Sequence, residues 1–84
     1  NMSCCKENEI YLNWKNNYDQ SKVINELQTI FGWTYLQSSV VVEIAQKNNK
    51  CLLIRETRDR ISELTVKMAQ CGLSFQVTEL TKIK

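Results

Sequence analysis

The chain has 84 residues, 43% of them apolar and 24% charged, with no Pro, no His and a formal net charge of +2. These values fit one small globular domain, and they exclude a disordered chain and the clustered basicity of a strong nucleic-acid binder. No run approaches the ~20 apolar residues of a membrane span, and no internal repeat or low-complexity tract is present.

Residues 1–8 lack periodicity and read as a flexible N-terminal segment, 9–80 as a single domain and 81–84 as a basic tail. In Ile10-Tyr11-Leu12-Asn13-Trp14, Ile10, Leu12 and Trp14 fall on one face and Tyr11 and Asn13 on the other, which predicts a half-buried strand. Val23, Ile24, Leu27, Ile30 and Phe31 follow at helical spacing, with Asp19 or Ser21 as N-cap and Gly32 as C-cap.

Two readings compete for 38–56. Val40-Val41-Val42-Glu43-Ile44 is β-branched, Lys47-Asn48-Asn49-Lys50 is turn-prone and Cys51-Leu52-Leu53-Ile54 is apolar again, so the stretch reads as a hairpin pairing 40–45 with 51–55. Leu36, Val40 and Ile44 are also spaced by four, and that helical alternative has weight because it changes the fold. The residues favour the hairpin, since successive valines lose χ1 freedom in a helix.

Beyond it, Ile61, Leu64, Met68 and Ala69 form a one-sided helical stripe capped by Thr57 or Asp59 and stopped by Gly72, with Arg58, Arg60, Glu63 and Lys67 on its solvated face. Leu73, Phe75 and Val77 alternate with Ser74, Gln76 and Thr78 in a last strand. The expected class is α+β, a two-layer ferredoxin-like βαββαβ sandwich with Trp14, Leu64 and Phe75 pointing inward. The helical alternative gives βααβαβ, an order similar to that of the ribosomal stalk protein's C-terminal domain and the Clp protease adaptor.

Catalytic parts are missing. Without His there is no His base or Cys–His pair, no Gly-rich loop approaches a phosphate, and the acidic residues are scattered. Cys4, Cys5, Cys51 and Cys71 form no CxxC pattern, so neither a metal site nor a disulfide framework is expected, and free thiols fit an intracellular, reducing compartment. The expectation is a non-enzymatic domain without cofactor or metal.

With helices on one side, the other sheet face would be open. It would carry Tyr11 and Asn13 from the first strand, with Leu53 and Cys51 or Arg55 from the third, and Lys50 close by. An aromatic beside apolar and basic groups is a candidate binding platform, flanked by Lys47, Lys82 and Lys84 as phosphate contacts. The run Ile10-Tyr11-Leu12-Asn13-Trp14, the Phe31-Gly32 pair after the first helix and the element order together resemble the RNA recognition motif family. The resemblance implies that Tyr11 stacks a nucleobase. The family's third-strand motif of glycine and aromatics is absent from Lys50-Cys51-Leu52-Leu53-Ile54-Arg55. The expected partner is thus single-stranded RNA, bound weakly through Tyr11, Asn13, Lys50, Leu53 and Arg55. A protein-interaction or self-association module, using the open sheet with Tyr11, Leu53 and Val41 or the first helix, is the alternative.

Overall fold

The computed structural model describes residues 5–82; the expectations for Cys4 and Lys84, and the outer parts of the N-terminal segment and basic tail, lie outside them. The chain order is β1 (Cys5–Asn13), α1 (Gln20–Phe31), α2 (Tyr35–Asn48), β2 (Lys50–Thr57), α3 (Arg58–Gln70) and β3 (Phe75–Lys82). The class is α+β, and the order is βααβαβ. The expected hairpin of 40–45 with 51–55 is not formed, because 40–45 lies inside α2. The first strand also starts earlier than its alternation indicated, at Cys5.

Local chemistry explains α2. Thr34 accepts the Gln37 N–H at 3.1 Å while the Gln37 side chain accepts the Thr34 N–H at 2.9 Å, a reciprocal capping box. Asn49 ends the helix with φ 73°, a left-handed conformation that asparagine tolerates. Each valine costs the helix at most about 0.7 kcal/mol relative to alanine. Burial of Val42 and Ala45, with Val41 packed against the core, outweighs that penalty. The flanking helices follow their sequence signals: Asp19 caps α1 by accepting from the Ser21 and Lys22 N–H groups, Gly32 closes it at φ 72°, and Thr57 caps α3.

The sheet has three strands in the order β2-β1-β3, both ladders antiparallel, so β1 is central and both neighbours are edges. Ile10 and Leu12 face the helices and pack with Val23, Ile24, Leu27, Val42, Ala45, Ile61, Leu64 and Met68. Leu64 is fully buried, while Trp14 and Phe75 are half-buried against this core. A register shift between Ile10 and Tyr11 opposes Ile10 to Ile54 and Tyr11 to Leu52, leaving Leu53 as the extra residue of a bulge.

Candidate functional site

The open side of the sheet carries a set of internally paired polar groups beside the partly exposed Leu52. Glu9, Tyr11 and Asn13 alternate with the core residues Ile10 and Leu12 and point away from the helices. The Tyr11 hydroxyl donates to Glu9 Oε1 at 3.1 Å, and Arg55, opposite Glu9 in the ladder, donates to Glu9 Oε2 through Nε at 3.1 Å and Nη2 at 2.7 Å. Only 8% of the Glu9 side chain is exposed, against 50% for Arg55. The Arg55 hydrogen bonds hold the Glu9 carboxyl below the usual carboxylate range against the opposing effect of desolvation. The same carboxylate, by accepting the phenolic proton, pushes Tyr11 up. Lys50 Nζ stands 5.0 Å from the Tyr11 ring centroid, within cation–π range, and Asn13 Nδ2 donates to Ser74 Oγ at 3.3 Å.

Four of the five expected platform residues, Tyr11, Asn13, Lys50 and Arg55, therefore share one face. Leu53 does not. Without the bulge, Leu53 and Arg55 would lie on the same side; the extra residue changes the phase, so Arg55 points out and Leu53 is buried with the core. Cys51 is likewise buried on the helix side, and burial pushes its thiol up. Val41, expected beside Tyr11, lies on α2 instead.

A second surface has the opposite character. Along α2, Leu36 is 70% exposed, Val40 44% and Ile44 41%, a stripe at i, i+4 and i+8 that stays partly open to solvent. The stripe borders a shallow groove of about 480 Å³ lined by Trp33, Leu36, Gln37, Val40, Val41 and Leu53. Phe31 supports one end, its ring stacked on Trp33 with centroids 4.6 Å apart. None of the six lining residues is charged. The spacing of Leu36, Val40 and Ile44 was legible in the sequence; Trp33 was not singled out, and the Thr34–Gln37 capping box was the signal that would have settled the helix.

Another cleft, of about 390 Å³, lies between the start of α1 and the turn after α3. Four of its polar side chains are engaged: Asp19 caps α1, Lys22 lies 3.9 Å from Glu26, and the Tyr18 hydroxyl accepts the Ser74 N–H at 2.6 Å. Among the described residues no group of three or more Cys, Asp or Glu side chains is placed to hold a metal ion, and no helix is long and apolar enough to cross a membrane.

No protein-family model and no curated protein matches this sequence. A solved structure does: ClpS2 of Agrobacterium tumefaciens bound to L-phenylalaninamide is similar, with a TM-score of 0.75 and 17% identity over 89% of this chain and 98% of that one. At that identity the likeness shows a shared fold, in agreement with the βααβαβ alternative rather than the expected four-stranded βαββαβ order.

Proposed function

We propose that the chain is a non-enzymatic protein-interaction module that receives an apolar side chain of a peptide segment in the α2 groove. The observation that carries this reading is the exposed stripe Leu36, Val40 and Ile44 beside the concavity walled by Trp33, Val41 and Leu53. Apolar concavities of a few hundred Å³ are the usual form of a recognition site. The fold neighbour, solved with the amide of a single aromatic amino acid, supports a peptide ligand by analogy. The absence of charge in the groove favours an internal side chain over the ammonium of a chain start.

The RNA reading has weaker support. Tyr11 spends its hydroxyl on Glu9, Lys50 covers its ring, and an ionised carboxylate lies beside it where phosphates would approach. The test is a titration of protein labelled at backbone amides and at methyl groups with nonapeptides bearing a central Phe, Leu or Trp between Thr and Ser residues, and in parallel with a single-stranded RNA pool. Shifts at Val40, Val41 and Leu53 with peptide are expected. Shifts at Tyr11 with RNA and none with peptide would reverse the order of the two readings.

A further inference from the structure

The groove has one helical wall, α2, and one wall that is a sheet edge, β2. Backbone hydrogen bonds fix which β2 groups are already used. The Trp14 N–H donates to the Asn49 carbonyl at 2.8 Å and the Asn13 N–H to the Ser74 carbonyl at 3.0 Å. On β1, even-numbered residues thus turn their backbone toward β2 and odd-numbered ones toward β3. Cys51, Ile54 and Glu56, opposite Leu12, Ile10 and Asn8, are bonded to β1. Leu52 and Arg55 therefore turn their N–H and C=O groups outward, to an edge that no strand among the described residues pairs. Those free groups flank Leu53, the groove's floor.

From this juxtaposition we infer that the partner segment binds in extended form, adding a strand to the outer edge of β2 at Leu52 and Arg55 while one apolar side chain enters the α2 groove at Leu53. The inference rests on the interaction reading above and adds to it the conformation of the ligand. Strand addition supplies main-chain hydrogen bonds for affinity, and a pocket beside the edge reads alternate side chains for specificity. The other edge, β3, has no comparable helical wall, since its neighbour is β1 alone. A second folded copy suits the surface less well: the partly exposed Leu36, Val40 and Ile44 offer far less than the roughly 800 Å² per partner that a stable folded interface buries.

Backbone N-methylation of the Phe-centred nonapeptide tests the inference, because a methyl removes a donor without changing the side chain. Methylating alternate residues in one phase should weaken binding at least about tenfold, and in the other phase by less than about threefold. Hydrogen exchange of the Leu52 and Arg55 amides should slow at least about tenfold in the complex, with the Cys51 amide unchanged. If both methylated series bind like the parent and the two amides exchange as in the free protein, strand addition is wrong, while loss of binding in Val40→Asp would still uphold the groove. If no Phe, Leu or Trp peptide shifts any resonance at about 1 mM, both the groove and the strand-addition readings fail.

Discussion

The open face of the sheet and the outer face of α2 are both exposed, yet they differ in what their groups still lack. On the sheet, Glu9 accepts from Tyr11 and Arg55, Lys50 lies over Tyr11, and Asn13 reaches Ser74. On α2, Leu36, Val40 and Ile44 keep 41–70% of their surface open to solvent. An aromatic on an exposed strand is the more conspicuous sequence feature, but a group whose partners lie within its own chain has little left to offer a ligand. An uncovered apolar stripe retains the free energy of burial, about 25 cal/mol per Å² of apolar surface removed from water.

Both faces depend on the layer between them, and the largest expected effect comes from there. Leu12 is fully buried on the underside of β1. Leu12→Ala should lower unfolding stability by about 2–5 kcal/mol in chemical denaturation and take both surfaces with it. A loss below about 1 kcal/mol would mean that the layer relaxes around the cavity. Removing the α2 cap acts on one face only: Thr34→Ala should cost about 1 kcal/mol and leave the Glu9–Arg55 pair intact. An unchanged denaturation midpoint would show that the valine run holds the helix without its cap.

Much of this architecture was legible from local pattern. The alternation at Ile10, Leu12 and Trp14, the stripes of α1 and α3 and their caps at Asp19, Gly32 and Thr57 depend on residues near in sequence, and they reappear in the fold. What failed depended on competition or on pairing. Val40 to Val42 favour a strand by intrinsic preference, and the capping box with burial of Val42 and Ala45 overrode it. The bulge that sends Leu53 inward exists only in the register of β2 against β1, which no single strand encodes. Tyr11 and Arg55 were placed correctly on the open face; their saturation by Glu9 was not foreseen, because Glu9 counted among the scattered acids.

The Glu9 pairing gives the sheet face a pH signature that α2 lacks. Its carboxyl titrates below 4.5 in the folded protein. The stability it contributes is therefore present above the unfolded value of about 4.5 and is lost as pH falls through the lower folded value. Glu9→Gln should reduce the denaturation midpoint at neutral pH, and the gap between variant and parent should close in acid. Arg55 is half-exposed, so the effect should be smaller than that of the cap and should shrink with added salt. A gap that persists in acid would assign the loss to packing.

The smallest effect on stability is expected at Leu36, and there the two faces separate most cleanly. Leu36 is the second residue of α2, 70% exposed, with Thr34 as the N-cap. A negative side chain in the first turn of a helix interacts favourably with the partial positive charge of its free N–H groups, by about 0.3–1 kcal/mol. That gain offsets the slightly poorer helix propensity of aspartate. Leu36→Asp should therefore unfold within about 0.5 kcal/mol of the parent while losing peptide binding in the groove, since an ionised carboxylate would sit where an apolar side chain must be desolvated. Equal stability with intact binding would remove Leu36 from the contact surface. A loss of several kcal/mol would show that the stripe belongs to the core and is no free face at all.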